Sequence, residues 1–263
     1  MSKDFTALFL GDVVGQPGCR ALFIGLKDLI RKHKADLVII NGENAADGFG
    51  ITPEIADSFF ANGTHVITSG NHIWQKRDIY HHLESQNLLR PANYPSRAPG
   101  KGVAIVENKG VKAAVINLQG REELPSIDCP FQCSKDILKK LPGDVKIKII
   151  DFHAERPTEK EALALFLDGK VSALLGTHTH VPTSDERVLP GGTAFITDVG
   201  MTGPQDSVIG AEPGQAIHRS LTQMPLKMEI SENGGIINGV VINIDPATGR
   251  ALKIKRVKTI LGV

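Results

Sequence analysis

Apolar residues in this chain gather into short runs, each closed by a polar or small residue. Residues 6–10, 37–40, 65–69, 145–152, 171–175 and 193–197 form such runs. Runs of this length between turn residues predict buried strands. After the first, Pro17 opens a stretch in which Leu22, Leu26, Leu29 and Ile30 share one helical face, as far as about Lys34. Strand, helix and strand in so short a span predict a βαβ unit with parallel strands. Thr52-Pro53 predicts a helix start, with a capping hydroxyl followed by proline at the first position. Residues 103–106 and 111–116 flank Glu107-Asn108-Lys109-Gly110 and predict a hairpin. Residues 158–167 and 214–221 predict helices, and the runs 236–244 and 251–257 predict two closing strands. A βαβ first half and a mixed second half predict an α/β protein of two sheets packed face to face with helices outside.

No repeat, low-complexity tract or linker divides the chain, so residues 1–263 are expected to form a single domain. The pattern breaks only at 118–142, where Arg121, Glu122, Glu123, Cys129 and Cys133 precede an amphipathic helix. This segment is a candidate flap over the site, or an interface for a homo-oligomer. A hydrophobic share of 41% and a charged share of 22% are ordinary for a globular protein. A net charge of +1 gives no reason to expect long nucleic acid or an acidic membrane as partner. Three cysteines argue against a disulfide scaffold and for a reducing compartment. The apolar stretch 5–10 is too short for a signal-peptide core, and no run is long enough to cross a bilayer. A cytoplasmic location is expected.

Candidate chemistry collects where the runs end. Asp12 follows the first, Glu43 and Asn44 the second, Asn71 and His72 the third, His153 the run 145–152, and His178 and His180 the run 171–175. In open α/β sheets the carboxyl ends of the strands bind ligands. Were the backbone to stay extended past Leu175, His178 and His180 would point the same way, because strand side chains repeat every two residues. Mixed oxygen and nitrogen donors suit Mn, Fe, Zn or Co better than Ca or Mg. Asp12, Glu43, Asn44, Asn71, His153, His178 and His180 are too many for one closed tetrahedral site and match two metals bridged by a carboxylate. Trp74 is expected to pack over its loop, His81 and His82 to sit at the surface, and Cys129 and Cys133 to be half-buried thiols.

Gly11-Asp12, Gly70-Asn71-His72, His153 and Gly176-Thr177-His178-Thr179-His180 resemble the successive blocks of the calcineurin-like metallophosphoesterases. Asn41-Gly42-Glu43-Asn44, Asp151-Phe152-His153-Ala154-Glu155 and Thr197-Asp198-Val199-Gly200-Met201-Thr202-Gly203-Pro204 narrow the resemblance to the YmdB-like group of bacterial phosphodiesterases. Two departures from the broad superfamily are typical of that group. Asp12-Val13-Val14 stands where an Asp-x-His block is usual, and Glu43 where an aspartate is usual.

The resemblance implies a four-layer α/β/β/α sandwich. It also implies two metal ions, iron first and manganese or zinc as alternatives. Asp12 and His180 would hold one metal, and Asn71, His153 and His178 the other. Glu43 would bridge them, with Asn44 near the site. Two ions about 3.5–4 Å apart would deliver hydroxide to phosphorus, and His72 would donate the proton to the leaving oxygen. Glu155 or Asp198 would orient ligand histidines. The substrates implied are small phosphodiesters, 2′,3′-cyclic nucleotides above all. A phosphomonoesterase or nuclease would use the same metal core. A regulatory nucleotide binder or partner-recruiting protein with slow turnover is the reading from another class. Arg121 and Arg156 are each more readily explained as solvated than as phosphate ligands.

Overall fold

Alternation of side chains along the strands sets the layers of this protein. The structure is a computed structural model and describes residues 4–262. The first half of the chain forms β1 (Phe5–Leu10), α1 (Gly15–His33), β2 (Leu37–Asn41), α2 (Pro53–Ala61), β3 (Val66–Thr68) and α3 (Tyr80–Ser85). There follow β4 (Val103–Asn108), β5 (Val111–Gln119), α4 (Pro130–Lys140), β6 (Ile147–His153), α5 (Pro157–Leu167) and β7 (Ala173–Thr177). The rest comprises β8 (Arg187–Val188), β9 (Ala194–Ile196), α6 (Pro213–Thr222), β10 (Gly235–Ile244) and β11 (Ala251–Leu261).

Two sheets result, with strand orders β11-β10-β1-β2-β3 and β4-β5-β6-β7-β9-β8. Phe5, Ala7 and Phe9 of β1 and Leu37 and Ile39 of β2 meet Ala113 and Val115 of β5 and Ile147 and Ile149 of β6 in one core between the sheets. The alternate residues Leu8, Leu10, Val38 and Ile40 face outward and pack under α1 and α2 through Leu22, Leu26 and Phe59. On the far side Ile116, Ile150 and Phe152 pack under α5 through Leu163 and Leu167. The four-layer α/β/β/α sandwich is therefore what period-two strands buried on both faces require.

The two closing strands join the first sheet, with β10 antiparallel to β1 and seated between it and β11. Local pattern does not reveal such a pairing across the whole chain. The helix within 118–142 is an outer-layer element: Phe131, Ile137 and Leu138 of α4 pack on the same core as α5. The β4–β5 hairpin turns on Lys109 and Gly110, at φ 53° and 76°, which is the two-residue turn whose twist suits a hairpin. Thr52 caps α2 as expected, accepting from the Ile55 amide at 3.4 Å. Among the described residues no helix is long and apolar enough to cross a membrane.

The strands β1, β2 and β3 run parallel, as do β5, β6, β7 and β9. Each sheet thus has one rim of carboxyl ends. The core between the sheets is where truncation should hurt most. Ile149→Ala is expected to cost about 2–5 kcal/mol through lost burial and the cavity left behind. Phe23→Ala, on the exposed face of α1, should stay within about 0.5 kcal/mol. Urea unfolding of both variants checks this, and equal losses would place the stabilising core elsewhere.

Candidate metal centre

At the rim of carboxyl ends, inward-facing positions change from apolar to polar. On β6 the series Ile147, Ile149 continues as Asp151 and His153, and both are buried. On β2 it continues as Asn41, on β3 as Thr68 and on β7 as Thr177, all fully buried. Asp151 ties these together across the gap between the sheets. Its Oδ2 accepts from Asn41 Nδ2 at 2.8 Å and from the Thr68 hydroxyl, and its Oδ1 from the Thr177 hydroxyl at 2.8 Å. Burial pushes the Asp151 carboxyl up to about 7, against the pull of these donors.

The tautomers of the two histidines beside it follow from this network. Thr177 spends its proton on Asp151, so its oxygen, 3.0 Å from His153 Nδ1, accepts there. That leaves His153 Nε2 with a bare lone pair. His178 Nε2 lies 3.2 Å from Glu155 Oε2, and the tautomer that carries its proton on that side has Nδ1 bare. These two nitrogens stand 3.0 Å apart. Burial, then its neighbour His178, hold His153 well below the usual imidazole pKa, while burial, then His180, hold His178 at about 4. With both rings neutral and both protons on the far nitrogens, the facing lone pairs would repel each other, and a shared cation would turn that repulsion into coordination.

His180 is directed in the same way. Its Nδ1 donates to the Ile209 carbonyl at 2.8 Å, so Nε2 is bare and faces Asp12 Oδ1 at 4.0 Å. Asp12 is fully buried; Oδ2 takes the His178 amide at 3.2 Å, and Oδ1 has no hydrogen-bond partner. Burial, partly offset by His180, raises its carboxyl to about 6. Glu43 accepts the backbone amides of Gly70 and His72, one on each oxygen, and Oε1 also lies 3.7 Å from His153 Nε2. Burial raises its pKa well above the usual carboxylate value, against the pull of those amides. Asn44 Nδ2 donates to the Gly48 carbonyl at 2.9 Å, and its Oδ1 is a buried acceptor without a partner; Asn71 Oδ1 is another.

All eight residues singled out from the sequence therefore gather at this rim, as pairs and not as a closed shell. Among the described residues no three His, Cys, Asp or Glu side chains converge on a single point. The unpartnered oxygens of Asp12, Asn44 and Asn71 are the acceptors that a hard or borderline cation takes. The donor set fits metal. The extended backbone that would align His178 and His180 is not what forms. Their φ angles are 104° and 66°, which for non-glycine residues costs on the order of 1–3 kcal/mol each. Alignment comes from hydrogen bonds, not from strand geometry.

Other residues complete the rim. Gly70 carries no Cβ because His153 occupies that space; a methyl there would stand 2.1 Å from the ring. His72 is partly exposed, with Asn44 Nδ2 3.4 Å from its Nδ1 and the half-exposed Phe49 ring against its edge, centroids 4.9 Å apart. Burial, then His180, lower the His72 pKa. Trp74 packs edge-on against Tyr80 and Tyr94, a structural role. Asn41, Thr68, Asp151 and Thr177 were not evident from the sequence as site residues. Their signal was polar residues continuing the inward period of apolar strands. Phe49 lies in a loop whose left-handed positions, Asp47, Gly48 and Gly50, carry no periodic signal.

The sequence model of the YmdB-like protein family matches residues 8–257. The 2′,3′-cyclic-nucleotide 2′-phosphodiesterase of Bacillus subtilis (strain 168) is 46% identical over 251 residues, which is 95% of each chain. A crystal structure from Thermus thermophilus, of a hypothetical protein, superposes with a TM-score of 0.92 at 38% identity, over 97% of this chain and 99% of that one. The crystal structure of a novel phosphatase from Mycoplasma pneumoniae gives 0.93 at 36% identity, over 99% and 95%.

The raised carboxyls set a pH dependence for cation binding. A proton on Asp12 competes with the cation below about 6, and Glu43 adds a second competitor, whereas the His178 ring is already neutral down to about 4. Affinity for Mn²⁺ is therefore expected to rise about tenfold per pH unit for each displaced proton, then to level off once Asp12 and Glu43 are ionised. Titration calorimetry between about pH 5 and 8 checks this, and an affinity that falls with rising pH would contradict it.

Proposed function

The chain belongs to the YmdB-like protein family, and from that premise we propose that it is a metal-dependent hydrolase of small phosphodiesters, with 2′,3′-cyclic nucleotides as substrates. The observation that carries this is the meeting of partnerless buried oxygens on Asp12, Asn44 and Asn71 with bare nitrogens on His153, His178 and His180 at one rim. Asp12 and His180 would hold one ion, Asn71, His153 and His178 a second, and Glu43 would lie between them with Asn44 beside it. Iron, manganese and zinc all suit these donors. Bound there, two ions would activate water for attack on phosphorus and offset the charge of the phosphoryl oxygens.

The protein's own part in the reaction is orientation and proton supply. The relative from Bacillus subtilis is named for cleavage at the 2′ oxygen. In that reaction a P–O bond forms to water, the bond from phosphorus to O2′ breaks, and O2′ needs a proton to leave as an alcohol. His72 supplies it. It does so as imidazolium, the only form of the ring with a proton acidic enough to give, and is left as the neutral imidazole. The anionic substrate raises the lowered pKa of His72, because a negative charge close by favours imidazolium. Phe49 packs beside the ring, with centroids 4.9 Å apart.

The test separates the acid from the ligands. The protein loaded with Mn²⁺ should hydrolyse 2′,3′-cyclic AMP, and His180→Ala should lose both metal and turnover. His72→Ala should keep its metal and lose about 10²–10⁴-fold in kcat on the cyclic nucleotide. It should lose much less on bis-p-nitrophenyl phosphate, whose leaving phenolate needs no proton. Equal losses on the two substrates would rule out the acid role, and no hydrolysis by the metal-loaded native protein would rule out the phosphodiesterase.

A further inference from the structure

Lys160 is the fully buried cation of α5, and its ammonium bonds to Asp198. Its exposure is 0%, its Nζ lies 2.9 Å from Asp198 Oδ2, and the Asp198 side chain is itself 1% exposed. The neighbouring positions on that face of the helix are Leu163, Ala164 and Leu167, which are ordinary core residues. A buried ion pair is seldom more stabilising than apolar residues of the same volume, because both charges lose their water. Stability therefore does not account for a lysine at this position.

The geometry around Asp198 does. The oxygen that takes Lys160 also takes the backbone amide of Thr179 at 3.1 Å, and the other oxygen takes the amide of Gly200 at 2.9 Å. Thr179 is the residue between His178 and His180, the two rings in left-handed backbone conformations. From the opposite side the Thr183 hydroxyl accepts from the Asp198 amide at 3.0 Å and its own amide donates to the Asp198 carbonyl at 3.0 Å. The sequence makes room for the lysine at Gly176, where a Cβ would stand 2.9 Å from the Lys160 stem and 1.7 Å from the Thr197 carbonyl.

We propose that Lys160 is a positioning residue of the metal centre: by pairing with Asp198 it fixes the carboxylate that tethers the Thr179 amide, and so holds His178 and His180 in their strained, ligand-ready orientation. The inference rests on these two histidines holding metal. Without Lys160 the carboxylate has no counter-charge and turns toward whatever donor or water is in reach. The tether then slackens and the strained turn relaxes.

The test is Mn²⁺ affinity of protein that is still folded, followed by competition with a chelating dye, beside thermal unfolding. Lys160→Met leaves an unpaired buried carboxylate and should melt far below the native protein. Lys160→Met with Asp198→Asn removes both charges and should recover most of that stability, yet bind Mn²⁺ about 10–100-fold more weakly. Thr183→Val keeps the buried pair and removes the hydroxyl that takes the Asp198 amide and donates to Asp185. It should fold normally and weaken Mn²⁺ binding in the same direction by a smaller factor. Native affinity in the folded double variant, or in Lys160→Met assayed well below its melting temperature if the double variant does not fold, overturns the proposal. His180→Ala is the control: if it binds Mn²⁺ as the native protein does, the metal centre itself is misassigned, not the role of Lys160.

Discussion

The carboxylate of Asp151 is the constraint on which the rest of this rim depends. It accepts hydrogen bonds from both sheets at once, from Asn41 and Thr68 on one side and Thr177 on the other. An apolar interface between two sheets tolerates many relative placements; three directed bonds to one buried carboxylate tolerate few. The same bonds specify chemistry. Because Thr177 must give its proton to Asp151, it can only accept from His153, and the far nitrogen of His153 is left bare toward the site. One buried charge thus registers the layers and sets a tautomer some distance away. A neutral residue of the same shape would break that chain of consequences at its first link.

Each strand carries this division of labour along its length. Inward positions are apolar where they build the core and polar in the last turns before the rim, so stability and chemistry share a strand without sharing a segment. Burial works in the same sense on three carboxyl groups and three imidazoles there. It raises Asp12, Glu43 and Asp151 and lowers His72, His153 and His178. The charged form is disfavoured in each case. Such a rim stores unfavourable desolvation, and its acceptors without partners are the ones that the proposed cations would take.

Much of this was legible in the sequence. Asp12, Glu43, Asn71, His153 and His178 each close an apolar run, and parallel strands put such ends on one rim, so period and polarity were enough to find them. Two facing sheets with helices outside followed from the order of the elements, and the four-layer sandwich from the family resemblance. Other features were illegible for definite reasons. Asp151, Asn41, Thr68 and Thr177 lie within strands, and only the pairing between sheets gives them partners. The place of β10 beside β1 depends on contacts across the whole chain. The left-handed backbone at His178 and His180 depends on acceptors distant in sequence, so an extended His-x-His pair was the natural and incorrect expectation. Lys160 reads as one more polar residue on a helix until Gly176 and Asp198 are seen around it.

The strained turn at 178–180 shows why those distant acceptors matter. Neither histidine would choose its backbone conformation alone. What holds them is the Thr179 amide on Asp198, the His178 amide on Asp12, and the His180 ring on the Ile209 carbonyl. Each tether comes from a different part of the fold, so the turn is over-determined in the way that strained functional backbone has to be. An extended loop would place both rings on one side of the strand end without such help, but at the spacing of a strand. The left-handed turn instead lets His178 face His153 while His180 faces Asp12. Two separate donor pairs from three consecutive residues suit the two ions proposed for this rim, and the strain is the cost of separating them.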